Sequence, residues 1–311
     1  MPAASAIDVE GLAKYYGDLL AVDHVSLNVN EGEFFGFLGP NGAGKTTTVR
    51  MLTGVIRPDK GEARILGHPA GSLPAKQVTA VVPEMANAYL DLSAWANLTL
   101  MMELYGIPVK RGKQRAEKLL QELGLSERKN DAVKGFSRGM RQRLILCMAL
   151  VSDARVLFLD EPTTGLDVQS TRLIRAMLRN LKEEQITIFL TTHNMDEANE
   201  LCDRVAIINH GKIVVTDSPD NLREAVTRFH SVEVVFNPRV PAGSLSQLPS
   251  VEKAEDIEDG IRILTADPCA MVASLINYSE VNGLTMADLH VLPPSLEDAF
   301  VQLTELGVGD G

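Results

Sequence analysis

Apolar and polar positions alternate through residues 7–38, with turn residues between the runs. This pattern predicts strands at Ile7 to Glu10, Leu19 to Val22, Val25 to Val29 and Glu33 to Leu38, some of them antiparallel edge strands. Short strands follow around Ala63 to Leu66 and Ala80 to Val82. From about residue 85 to 150 the period becomes helical, as in Leu98, Met101, Met102 and Tyr105, with a break at Gly106-Ile107-Pro108. Helices are expected over Asn97 to Tyr105 and Gly112 to Leu123, an all-helical insertion in an α/β domain. The apolar runs at Val156 to Leu159 and Ile186 to Thr192 read as buried parallel strands. Asp203 to Ile208 and Lys212 to Val215 pair around Gly211 and close a domain of residues 1–224.

From Ala225 the texture changes again. Strands are expected at Ser231 to Phe236, Ile261 to Leu264 and Leu289 to Leu292, with helices at Cys269 to Tyr278 and Ser295 to Leu306. Residues 225–311 thus form a small α/β appendage with no catalytic constellation. The acidic run Asp256, Glu258 and Asp259 reads as a solvated turn.

The chemistry concentrates where the strand ending at Leu38 meets Gly39-Pro40-Asn41-Gly42-Ala43-Gly44-Lys45-Thr46. This fits G-x-x-x-x-G-K-[ST], a phosphate-binding loop, and Thr47 to Leu52 reads as the start of the following helix. Gly39, Gly42 and Gly44 let successive N–H groups converge on one anion, and the helix dipole adds to them. Lys45 would reach the β- and γ-phosphates of a nucleoside triphosphate, and the Thr46 hydroxyl would ligate Mg²⁺. The strand ending in Asp160-Glu161 presents two carboxylates at the sheet edge where ligands bind in open α/β folds. Asp160 would hold Mg²⁺ through water and Glu161 would serve the attacking water, unless either merely caps the next helix.

Weaker signals complete the pattern. Ser137, with Gly139 two residues on, is a candidate N-cap at a second anion-binding helix start. His193 ends its strand as Glu161 nearly does, whereas the other histidines read as surface or filler. Tyr15 and Tyr16 precede Gly17, and a ring there either stacks on a purine or sits half-buried in its loop. Trp95, the only tryptophan, either anchors a partner or fills the core of the helical insertion.

Composition narrows the setting. The formal net charge is −11 and the pI about 5.1, which disfavours general nucleic-acid binding. Cys147, Cys202 and Cys269 lack C-x-x-C spacing, so reduced thiols are expected rather than a disulfide framework or a zinc site. Residues 1–10 do not have the form of a signal peptide. No apolar run approaches the ~20 residues of a membrane span, so any membrane function is expected to work through another polypeptide.

The order of the phosphate loop, Phe136-Ser137-Arg138-Gly139-Met140, Leu157-Phe158-Leu159-Asp160-Glu161, Gly165-Leu166-Asp167 and Thr192-His193 resembles the ATP-binding subunits of ABC transporters over residues 7 to about 224. The resemblance implies an α/β phosphate-loop fold with an antiparallel β subdomain. It implies ATP and Mg²⁺ as ligands, with a nucleotide-contacting set of Tyr16, the loop residues through Thr47, Ser137, Gly139 and Asp167. Glu161 and the switch histidine His193 would be catalytic, and Thr46, Glu84 and Asp160 would face the metal. Two departures stand out. The family's usual L-S-G-G-Q is Phe136 to Met140 here, and its Q-loop glutamine is replaced by Glu84; both resemble the drug-export branch. Ser295-Leu296-Glu297-Asp298-Ala299-Phe300 is similar to the closing motif of daunorubicin-type export ATPases. The expected assembly is a homodimer on the cytoplasmic face of the membrane, energising a separately encoded permease. The rival is a soluble ABC-type regulator or a translation or DNA-repair factor. Such proteins usually carry two ATP domains, long coiled coils or zinc modules, and this chain has one phosphate loop and neither of the others.

Overall fold

A computed structural model describes residues 4–84, 88–225 and 230–292, together with 296 and 300. The closing motif at 295–300 and the expected last helix fall largely outside the described residues, as does the start of the insertion at 85–87. The chain divides after Ser218 into two compact units. The short helix at Pro219–Ala225 therefore groups with the second unit rather than the first.

The first unit opens with a hairpin of two long strands, β1 (Ser5–Tyr16) and β2 (Leu19–Asn30). The sequence pattern predicts two short strands in place of β2, because Asp23-His24 reads as a turn. The structure keeps one strand and absorbs those residues as a bulge: pairing passes from Lys14–Val22 to Leu12–Val25, and His24 takes a φ of 51°. Next come β3 (Phe34–Leu38), the helix α1 (Lys45–Leu52), β4 (Lys60–Ile65), β5 (His68–Pro69) and the short α2 (Leu73–Gln77). β2, β1, β4 and β5 form an antiparallel sheet in that order.

After β6 (Thr79–Val82) the helical insertion supplies α3 (Ala94–Leu104), α4 (Val109–Glu122) and α5 (Arg138–Leu150). Ser93 and Ser137 accept hydrogen bonds from Ala96 N and Met140 N, capping α3 and α5. The chain then alternates through β7 (Val156–Asp160), α6 (Val168–Glu183), β8 (Thr187–Thr192), α7 (Met195–Leu201), β9 (Arg204–Asn209) and β10 (Lys212–Asp217). The second sheet has the order β10-β9-β3-β8-β7-β6, parallel except for β10.

Its central strands β3, β7 and β8 are buried at every position, which is why they read as solid apolar runs. Phe37 and Phe158 pack on Phe189 with centroids 5.4 and 5.6 Å away. Register does the rest. Leu38 pairs with Thr192, and Asp160 with Thr191. Gly39, Glu161 and His193, each the next residue of its strand, are thereby gathered at one sheet edge.

The second unit begins with α8 (Pro219–Ala225), followed by β11 (His230–Asn237), β12 (Lys253–Ile257), β13 (Gly260–Thr265), α9 (Pro268–Asn282) and β14 (Thr285–Leu292). Its antiparallel sheet, in the order β12-β13-β11-β14, shares a core of Val232, Val234, Phe236, Ile261 and Ile263 with Met271 and Leu275 of α9. β12 is a strand the pattern does not announce, because only Ala254 and Ile257 are apolar. Asp256 lies within it and accepts from Ala242 N, while Glu258-Asp259 form the two-residue loop to β13.

Candidate active site

The phosphate loop wraps the carboxyl end of β3, and two of its glycines have identifiable reasons. A Cβ on Gly39 would lie 2.4 Å from the Ile208 carbonyl oxygen. Gly44, which caps α1, has a φ of 106°, and a Cβ there would lie 2.6 Å from Ala21 O. The loop can therefore seat itself on β2 and β9 only without those side chains. Lys45, 6% exposed, folds back to donate to Gly39 O at 2.6 Å and Pro40 O at 3.2 Å.

Opposite the loop stands Glu161, also 6% exposed. Its φ of 52° is unusual for a non-glycine residue, and its backbone N–H is held by Thr191 O at 3.0 Å. That turn aims the side chain at the phosphate loop. Glu161 Oε1 lies 3.2 Å from Lys45 Nζ in an ion pair, yet it accepts no hydrogen bond. Oε2 accepts from Thr164 Oγ1 at 2.8 Å and lies 2.8 Å from His193 Nδ1. One carboxylate thus faces two nitrogen groups and a hydroxyl, and keeps an acceptor position on the oxygen nearest Lys45.

Asp160 is 3% exposed. Its Oδ1 accepts from Thr191 Oγ1 at 2.5 Å and from Thr46 Oγ1 at 3.2 Å. A hydroxyl and a carboxylate side by side are hard oxygen donors suited to Mg²⁺, which usually keeps waters and phosphate oxygens for its remaining positions. Among the described residues no three His, Cys, Asp or Glu side chains gather into a metal cage. The residues present therefore fit a magnesium–triphosphate pair rather than a metal held by protein alone.

A cavity of 460 Å³ joins these groups. Tyr16, Pro40, Asn41, Gly42, Gly44, Lys45, Thr46, Thr47, Glu84, Glu161 and His193 line it, as do Leu19, Ala21 and Thr164. Tyr16 is 47% exposed, so its ring is available at the mouth. Gly39 and Ala43 support the loop from behind. Ser137, Gly139 and Asp167 do not line the cavity. Ser137 caps α5. Asp167 caps α6, accepting from Ser170 N and Ser170 Oγ at 2.8 Å each, which holds its carboxyl below the ordinary value.

The sequence reading misses the threonines. Thr191 donates to the Asp160 carboxylate and accepts from the Glu161 backbone N–H, Thr164 fixes the Glu161 carboxylate, and Thr163 donates to Glu197 at 2.8 Å. A polar pair ending an apolar strand, Thr191-Thr192, is a readable signal for the first of these. Glu197 itself is 0% exposed. In the first turn of α7 its sequence position suggests only a dipole contact. Trp95 is half-buried under Lys129, whose ammonium is 5.3 Å from the ring centroid. Ala94, Leu98 and Met102 fill the core of the insertion.

Comparison with known proteins agrees with this geometry. The ABC transporter family profile matches residues 22–164. The Nod factor export ATP-binding protein I of Ralstonia nicotianae is 37% identical over 300 residues, 96% of this chain and 93% of that one. The daunorubicin/doxorubicin resistance ATP-binding protein DrrA of Streptomyces peucetius is 40% identical over 223 residues, 71% of this chain and 68% of its own. A solved ATP-binding subunit of an ABC transporter superposes with a TM-score of 0.66 at 27% identity, covering 71% of this chain and 92% of that structure. With a glycine-rich phosphate-loop motif, paired carboxylates and His193 on one sheet edge, and with a relative 37% identical over 96% of its length, the chain belongs to the ATP-binding subunits of ABC transporters.

Proposed function

We propose that this subunit hydrolyses ATP to drive an ABC-type exporter, working as a homodimer at the cytoplasmic face of the membrane beside a separately encoded permease. The observation that carries the chemistry is Glu161: a buried carboxylate with a spare acceptor on Oε1, beside Lys45 and His193.

The phosphate loop's N–H groups and Lys45 bind the triphosphate, which competes with Glu161 for the ammonium. Tyr16 stacks on the base. Thr46 and Asp160, with Glu84 nearby, would hold Mg²⁺, which would supply positive charge against the triphosphate. Glu161 orients and deprotonates the water, and His193, at hydrogen-bond distance, steadies the carboxylate. Glu84 brings a negative charge to the cavity where the family usually has an amide, so the metal must offset it.

Ser137, Gly139 and Asp167 act in trans. They lie off the cavity of their own subunit, as expected of groups that close over the partner's nucleotide. Binding of the γ-phosphate from both sides closes the dimer, and hydrolysis removes that bridge. Motion reaches the permease through the helical insertion, whose Tyr89, Leu90 and Leu92 are 57, 45 and 39% exposed. Export rather than import rests on the Nod-factor and drug-resistance relatives. No helix among the described residues is long and apolar enough to cross a membrane, in keeping with a borrowed pore.

The test uses Glu161→Gln. The variant is expected to bind ATP as the wild type does, to hydrolyse it about 10²–10⁴-fold more slowly, and to accumulate as an ATP-dependent dimer. Purified in detergent from its native membrane, it should carry a hydrophobic permease chain. Rapid turnover by the variant, or ATP-bound monomers only, would overturn the reading.

A further inference from the structure

Arg138 stands between Ser137 and Gly139, where the family's usual motif has glycine. Glycine has no side chain to offer at that point. Arg138 does, and it reaches the turn that follows the paired carboxylates. Its Nη2 donates to the Thr164 carbonyl at 2.9 Å. The Thr164 hydroxyl in turn donates to Glu161 Oε2 at 2.8 Å. Gly165 has a φ of 68°, and a Cβ there would fall 2.5 Å from Arg138 Nη1, so the guanidinium packs directly on the glycine backbone. Gly139 tightens the same seam: a Cβ on it would lie 2.2 Å from Ser170 Oγ and 2.9 Å from Asp167 Oδ2.

We propose that Arg138 is a positioning residue that, through Thr164, ties the Glu161 carboxylate to the signature turn of the same subunit. The inference rests on the trans use of Ser137 and Gly139 proposed above. The signature turn then touches the partner's nucleotide while Glu161 serves the subunit's own. A tether between them makes the hydrolytic geometry of one site depend on how the other is occupied. The donor is charged and the acceptor is a main-chain carbonyl, so the contact survives any side-chain change at 164. An arginine also suits it better than a lysine, because its fork can hold the carbonyl while the plane rests on Gly165.

The experiment is steady-state ATPase kinetics on the full chain carrying Arg138→Gly, Arg138→Gln or Arg138→Lys. Loss of the tether is expected to lower kcat about fivefold with KM for ATP unchanged, because Arg138 holds the Thr164 carbonyl and does not itself line its own nucleotide cavity. Arg138→Lys should recover most of that loss by donating to the same carbonyl. Arg138 is exposed, so folding should survive; Arg138→Gln, a good helix former, repeats the test should glycine soften the start of α5. Wild-type kcat in both Arg138→Gly and Arg138→Gln overturns the tether, as does a lysine variant no better than these. A raised KM also overturns it, since Arg138 would then be a phosphate ligand. The ATP-dependent dimer of Glu161→Gln keeps the two readings apart. If it forms while the Arg138 variants behave as wild type, only the tether fails; if it does not form, the trans arrangement itself fails.

Discussion

Lys45 and Glu161 form a buried pair, and each is 6% exposed. Such a pair is costly to desolvate unless something is gained from it. The gain proposed here is exchange: the triphosphate takes the ammonium and leaves the carboxylate to the water. Lys45→Ala removes the charge that makes this exchange possible. ATP affinity measured by calorimetry below the unfolding transition is expected to fall on the order of 100-fold, and the Tm is expected to drop as well, because Glu161 Oε1 is left buried without its cation. Wild-type affinity in that variant would remove Lys45 from the site. At this scale the sequence is informative where chemistry needs a fixed order of residue types. The phosphate loop, Asp160, Glu161 and His193 can all be placed from it. Thr191 is signalled only by the polar pair that ends an apolar strand, and sheet register then sets its hydroxyl on Asp160. Thr164 cannot be placed, because only the turn with a φ of 52° at Glu161 brings its hydroxyl to that carboxylate.

Between elements, Glu197 links the turn after β7 to α6 and α7. Thr163 donates to it, Arg175 approaches it, and Arg175 also pairs with Glu200 at 2.9 Å. Burial pushes the Glu197 carboxyl above its ordinary value; hydrogen bonds from Thr163 and Thr192 and the Arg175 charge oppose the shift, while Glu161 adds to it. The folded state therefore holds this proton more tightly than the unfolded chain does. Below pH 4.5 both states are protonated and Glu197 contributes nothing. As pH rises beyond that, the unfolded state ionises first, and stability is lost until the folded value is passed. Glu197→Gln keeps an acceptor for Thr163 and cannot ionise. Its Tm is expected to pull ahead of the wild type as pH rises above about 4.5, with the two converging at lower pH. A gap that narrows with rising pH would contradict the burial account. Elements with an unbroken apolar run, as in β3, β7 and β8, or with a helical period, as in the insertion helices, were legible. β2 looked broken because a bulge and a turn use the same residues, and β12 stayed hidden because an edge strand can be mostly charged.

For the whole molecule, charge and core divide at the same place. The first unit is close to neutral, so nearly all of the formal excess of −11 lies beyond Ser218. The core cluster beneath the phosphate loop draws its buried side chains from Ala6 to Ile208 and takes none from the second unit. The second unit has its own core between its sheet and α9. Alternation alone suggested such an appendage, but not its fourth strand. Relatives that match along 96% of the chain include this unit, so it goes with that branch rather than with this sequence alone. A fragment of residues 1–218 is therefore expected to fold and to bind ATP with the affinity of the full chain, since every residue lining the cavity lies between Tyr16 and His193. Calorimetry and thermal unfolding on the fragment test this directly. Having lost most of the net negative charge, the fragment should also be less soluble near neutral pH, an effect that salt and pH titration separate from unfolding. A fragment that binds ATP tightly yet no longer recovers the permease would assign the acidic unit to assembly. A fragment that fails to fold at any pH or salt concentration would show instead that the two cores depend on each other.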